Sequence, residues 1–220
     1  IFFGAVISVV GYLIGIFLRK KISVLNPLLV SIIFVIAVIK IFHIDYETYN
    51  SGAKYISYLL TPATVCLAIP LYRQISVLKE HAKEVFIGIL AGVLASMGSI
   101  LLMSYFFGLT HEQYVTLLPK SITTAIGMGV SEELGGIQTI TVAVIIITGV
   151  LGNIIAEAVL KIFRIKEPVA KGLAIGTASH AIGTTKALEI GEIEGAMSSL
   201  SVAVAGLMTV ISASIFANMM

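Results

Sequence analysis

Two stretches of this chain place polar chemistry where the surrounding residues are apolar. The first is Pro119-Lys120-Ser121-Ile122-Thr123-Thr124-Ala125-Ile126-Gly127-Met128-Gly129-Val130-Ser131-Glu132-Glu133. The second is Gly176-Thr177-Ala178-Ser179-His180-Ala181-Ile182-Gly183-Thr184-Thr185-Lys186. Irregular backbone at membrane depth persists only where it is buried in protein or lines a wet cavity. A helix that begins there presents free N–H groups at the positive end of its dipole. Such ends hold carboxylates and phosphates. Ser121, Thr123, Thr124, Ser179, Thr184 and Thr185 add hydroxyl donors, and Gly183 lets backbone approach. Lys120, His180 and Lys186 add positive charge. The chemistry implied is the holding of a small anion near the bilayer midplane. Serine and threonine also act as packing glue in membrane helices, and lysines near headgroups snorkel, so the hydroxyls alone do not carry this reading. His180 changes charge near neutral pH and is the candidate to carry or gate a proton.

Other residues extend the candidate site. Asn153 and Glu157 stand four apart, on one face of an apolar helix. An intramembrane carboxylate of that kind marks a proton or cation path, although Glu157 falls near a helix end, where a surface role competes. The segment 54–72 carries Pro62 and Pro70 in one span. Each removes a backbone hydrogen bond and kinks the helix, so Thr61 and Thr64 are candidates to face the same cavity. Glu132, Glu133, Glu189, Glu192 and Glu194 fall at the mouths of the polar stretches and are expected to be solvated. Enzyme patterns are missing: no nucleophile–base spacing, no metal-ligand cluster and no dinucleotide fingerprint in a strand–turn–helix setting. No cofactor is expected.

The elements that must position these residues are set by composition. Hydrophobic residues make up 58% of the 220 and charged residues 12%, with mean hydropathy +1.05. A soluble domain carries roughly 25% charged residues, so the chain reads as an all-α, polytopic membrane protein. A spanning helix needs about 20 mostly apolar residues. Six candidates follow: 1–18, 27–42, 54–72, 85–107, 137–160 and 196–217. Residues 1–18 run into Arg19-Lys20-Lys21 without a small-residue cleavage site, so they read as a membrane helix rather than a signal peptide. The polar stretches 43–52 and 108–112 read as loops. The stretches 112–136 and 172–194 are too polar for plain spans and too apolar for solvated loops.

Basic residues orient these spans. Arg19, Lys20 and Lys21, then Arg73, Lys79 and Lys83, then Lys161, Arg164, Lys166 and Lys171 fall in three connections. Under the positive-inside rule these are cytoplasmic, which puts the N-terminus outside. Segment 112–136 then begins and ends outside, and 172–194 begins and ends inside, as two re-entrant or broken helices entering from opposite faces. A shift of about 60 residues relates them: Ile122 meets Ile182, Thr124 meets Thr184, Glu132 meets Glu192, and Lys120 meets His180. An inverted-topology repeat of the secondary-transporter kind follows. It divides the chain into 1–110, an N-terminal scaffold; 111–165, the first hairpin and helix; and 166–220, the second, all in one membrane domain.

The runs Thr61-Pro62-Ala63-Thr64-Val65 to Ile69-Pro70-Leu71-Tyr72, Leu118-Pro119-Lys120-Ser121-Ile122-Thr123-Thr124, and Gly176-Thr177-Ala178-Ser179-His180-Ala181-Ile182-Gly183-Thr184 resemble the LrgB/CidB family, in order and over nearly the whole chain. The resemblance implies a multi-pass protein of the bacterial plasma membrane, often paired with a smaller LrgA/CidA-type membrane protein. It also implies one of two roles. One is holin/antiholin-like regulation of murein hydrolases and autolysis. The other is transport of small carboxylates of the pyruvate, glycolate or glycerate type. A carrier binding a small monocarboxylate between the two polar tips, with possible proton coupling, is the leading expectation, and a lysis regulator the alternative. A homodimer is the expected assembly, and no nucleic acid is expected as a partner.

Overall fold

The computed structural model describes residues 2–22, 25–66 and 68–220. All regular elements among the described residues are helices. The chain divides into two compact units, residues 1–66 and 67–220.

The first unit holds α1 (Phe3–Lys21), α2 (Pro27–Ile41), α3 (Tyr46–Ser57) and α4 (Leu60–Cys66). α2 starts where the sequence says it should. Asn26 Oδ1 accepts from Leu28 N at 2.9 Å and Leu29 N at 3.3 Å, and Pro27 occupies the first turn, where its missing N–H costs nothing. α1 lies close along α2 because glycine allows it: a Cβ on Gly11 would sit 2.9 Å from Phe34 Cδ1, and one on Gly15 would collide with the Pro27 backbone. The stretch 43–52, expected as a loop, is mostly helix. Asp45 Oδ2 accepts from Glu47 N at 3.2 Å and starts α3, a tyrosine-bearing helix that docks on α1 where Gly4 meets the Tyr49 backbone. A local cap and one apolar face outweighed the polar composition.

The expected span 54–72 is interrupted: α3 ends at Ser57, Tyr58 and Leu59 form a turn, and helix resumes with α4, residues Ala68–Arg73 (α5) also being helical. Pro62 sits in the first turn of α4, a position that tolerates it. The side chains of Thr61 and Thr64 lie outside the described residues.

The second unit continues with α6 (Ile75–Glu80), α7 (Ala82–Phe107), α8 (His111–Leu117), α9 (Thr124–Glu133), α10 (Gln138–Ile162), α11 (Pro168–Ile190) and α12 (Glu192–Ala217). α7 ends on Gly108, whose φ of 62° and ψ of 39° form a left-handed stop. Thr110 and Gln113 then form a capping box for α8. α12 packs along α11, α7 and α5, and a core of Ile89, Met97, Tyr114, Val115, Leu118 and Met197 closes around it. Helices α1, α7, α10 and α12 are long and apolar enough to cross a bilayer, and α2 is a shorter apolar helix. Of the six expected spans, four are therefore full-length helices, the second is short and the third is broken. Their large outward side chains, among them Phe106, Ile147 and Leu207, are what a lipid-facing surface requires.

Candidate functional site

The first polar stretch is a helix break. α8 stops at Leu117, Leu118 keeps helical φ/ψ, and Pro119, which has no N–H, cannot continue the ladder. The chain turns through 118–123 and re-enters helix at Thr124. Lys120 Nζ donates to Ser121 Oγ at 3.0 Å and to Ser96 Oγ of α7 at 3.3 Å. Ser96 Oγ donates to Ser121 Oγ at 2.9 Å. Among the described residues no carboxylate pairs with Lys120. Thr123 stands at the N-cap of α9 but makes no side-chain cap bond. The first N–H groups of α9 thus lack a side-chain cap within a turn of the lysine. Thr123 and Thr124 are both half-buried. Ser96, Ser121, Thr177 and Thr209 line a cavity of about 10 Å³ here, room for roughly one water.

The second polar stretch is also a break. α11 is helical on both sides of His180, whose φ of 42° and ψ of −145° are not helical. Such a conformation in a non-glycine residue costs about 1–3 kcal/mol and persists where its surroundings over-determine it. Those surroundings are on α10. The His180 ring is buried, with Nε2 3.0 Å from Ile145 O. A carbonyl oxygen only accepts, so Nε2 carries the hydrogen. Gly149 leaves space for the ring, since a Cβ there would lie 2.7 Å from Nε2, and Gly152 leaves space for Ser179. Gly183 packs against Ser179 Cβ and Ile175. Thr184 donates to His180 O at 3.0 Å and is 2.9 Å from Ser198 Oγ of α12. Asn153 Nδ2 donates to Ile182 O and to Thr185 Oγ1, each at 2.9 Å.

Two charged residues have structural partners. Lys186 pairs with Glu157 of α10 and with Glu189, so its charge is neutralised locally and Glu157 is tied to α11. Glu194, expected to be solvated, is 7% exposed and pairs with Lys171 at 3.5 Å. It is buried because Gly172 and Gly191 let the start of α11 and the turn before α12 close over it. Glu132, Glu133, Glu189 and Glu192 are exposed.

The candidate residues form two clusters rather than one. Lys120 and Ser121 belong to the first; Ser179, His180, Gly183, Thr184, Thr185, Asn153 and Glu157 to the second. No hydrogen bond joins the clusters among the described residues. The link is Thr177, which lines the first cavity three residues before His180. Ser96 and Thr209 complete the first cluster, and sequence reasoning missed both. A signal for Ser96 exists. Gly88, Gly92 and Ser96 form one stripe at four-residue spacing on α7, and they meet Leu173, Thr177 and Ser121 in turn.

Two contacts recur at a spacing of 60 residues. Thr116 and Thr141 touch, Thr141 Oγ1 donating to Thr116 O at 2.9 Å. Their shifted counterparts Gly176 and Ser201 also touch: a Cβ on Gly176 would lie 2.7 Å from Ser201 Cβ. His180 rests on Ile145 and Gly149 of α10. The counterparts of those two residues, Ala205 and Thr209 of α12, line the cavity beside the first break.

Long apolar helices combined with two helices broken at buried polar residues define a polytopic α-helical membrane protein. The LrgB-like family model matches residues 8–219. Antiholin-like protein LrgB of Bacillus mycoides (strain KBAB4), of Bacillus cereus (strain B4264) and of Bacillus anthracis (strain CDC 684 / NRRL 3495) are each 38% identical over 213 residues, covering 96% of this chain and 93% of the relative. The chain belongs to the LrgB-like family, and is a multi-pass bacterial membrane protein. No solved structure matches it.

Proposed function

We propose that the chain is a secondary carrier for a small monocarboxylate, and that it performs no covalent chemistry on its cargo. The observation that carries this reading is Lys120. Among the described residues its ammonium meets only hydroxyl partners, Ser96 and Ser121, near the start of α9, which has no side-chain cap. A cation without a counter-ion inside a membrane protein is costly and marks a substrate path. A carboxylate entering here would replace the serine hydroxyls on Lys120 and take up the free N–H groups of α9, with Thr123 and Thr124 at its edge. The present cavity has room for about one water, so on this reading loading requires the first break to separate from α12. The repeat units 111–165 and 166–220 are the parts assigned to that motion. His180 is the proposed proton site. Asn153 and Glu157 are assigned to holding α10 against α11, as their bonds to Ile182, Thr185 and Lys186 support.

The names of the relatives favour a second reading, an antiholin-like regulator acting with an LrgA/CidA-type membrane partner. Uptake of labelled pyruvate and of glycolate into proteoliposomes, with and without a pH gradient, separates the two. Saturable uptake by the parent protein, lost in Lys120→Gln and weakened in Ser96→Ala, supports the carrier. Absence of uptake, together with control of murein hydrolase activity in cells by Lys120→Gln as by the parent, establishes the regulator.

A further inference from the structure

We infer that the N-terminal unit holds one anionic phospholipid in a groove formed by α1, α2 and α3. This inference stands apart from the reading of Lys120. The groove has a volume of about 430 Å³. Ser31, Val35 and Ile39 recur at four-residue spacing along one face of α2, and the groove continues to Lys40. From Ser31 to Lys40 the rise is about 13 Å along the helix axis, a slot rather than a round pocket.

The chemistry of the walls selects a hydrocarbon guest. The slot contains hydroxyls, but they are engaged with the protein. Ser31 Oγ donates to Ser8 O at 3.4 Å, Ser8 Oγ donates to Gly4 O at 2.8 Å, and Ser8 and Tyr49 meet at 2.9 Å. A polar solute would find few unengaged groups, whereas an acyl chain needs none. The Lys40 end differs. Lys40 is exposed and pairs with no carboxylate among the described residues. Asp45, the nearest acid in the chain, caps α3 by accepting from Glu47 N. Tyr46, which lines the same end, is 63% exposed, and Tyr58, just past the end of α3, is 68% exposed. Exposed tyrosines on an amphipathic helix sit at headgroup level. The slot therefore runs from hydrocarbon depth to the headgroup layer and ends at an unpaired ammonium. That arrangement complements an acyl chain joined to a phosphate.

Native mass spectrometry of the purified full chain tests this, with dioleoyl phosphatidylglycerol or dioleoyl phosphatidylcholine added in detergent. The parent is expected to retain one phosphatidylglycerol about fivefold more readily than phosphatidylcholine, the preference one lysine near the headgroups confers. Lys40→Gln removes the preference while leaving retention of either lipid. Val35→Phe, which fills the slot, loses the bound lipid in protein that still elutes as a single species. If Val35→Phe fails to fold, Lys40→Gln decides alone. Equal retention of the two lipids by the parent, or an unchanged preference in Lys40→Gln, overturns the inference. So does a Val35→Phe variant that keeps its lipid but loses a dimer seen in the parent, because the slot then receives a second copy.

Discussion

Gly149→Ala tests whether His180 is held in its non-helical conformation by α10. The added Cβ would lie 2.7 Å from Nε2, 2.8 Å from Cε1 and 3.0 Å from Ile182 Cβ. The nearest atom belongs to a buried ring, whose only polar contact with α10 is the bond to Ile145 O at 3.0 Å. Moving the ring by several tenths of an ångström stretches that bond. Overpacking of this kind costs about 1–3 kcal/mol. The weakened hydrogen bond adds about 0.5–1.5 kcal/mol. Replacing glycine with alanine inside a helix returns about 1 kcal/mol. The net expectation is a loss of about 0.5–3.5 kcal/mol, which for a chain of this length lowers Tm by roughly 1–14 °C. The matched control is Gly98→Ala in α7, where an added Cβ meets nothing within 4 Å, so Tm should hold or rise. Thermal melts in detergent, followed by loss of the monodisperse peak, read both. In a His180→Ala background Gly149→Ala should cost much less than in the parent, because the cycle isolates the clash. Equal melts for Gly149→Ala and Gly98→Ala would refute the reasoning.

Three further outcomes follow from named contacts. Glu194→Gln removes the carboxylate that pairs with Lys171 in a site 7% exposed at Glu194, and should lower stability by about 1–3 kcal/mol, read as an earlier melt. Glu157→Gln breaks the ion pair with Lys186 at an exposed carboxylate, so the change should stay within about 1 kcal/mol and shrink with added salt; a larger loss would give Glu157 more than a tying role. In a Cys66→Ser background, Glu112→Cys should label from outside intact cells and Lys166→Cys should not. Glu112 serves better than Thr110, whose hydroxyl caps α8. Labelling of both from one side would remove the inverted repeat.

Several features were legible because their causes are local. Asn26-Pro27 starts α2, and Pro119 ends α8, through steric and hydrogen-bonding effects within a few residues. The polarity of 119–133 and 176–186 marks both segments as unlike plain spans, and both contain a helix break. The polar composition of 43–52 predicts a loop, yet the Asp45 cap makes most of it helix. The polar neighbours of Glu194 predict a solvated carboxylate, while its burial comes from α11.

By itself the sequence determined the membrane class, the positions of the long apolar helices, the two polar breaks and the family. Apolar runs, caps and prolines act through neighbouring residues, so they can be read along the chain. Tertiary structure alone decided that Ser96 reaches Lys120, that Lys186 is spent on Glu157, and that α11 breaks at His180 rather than at Gly176 or Gly183. Each of these depends on which helix faces approach closely. That approach is set by glycines such as Gly92, Gly149 and Gly152 meeting side chains from 27 to 85 positions away in the chain.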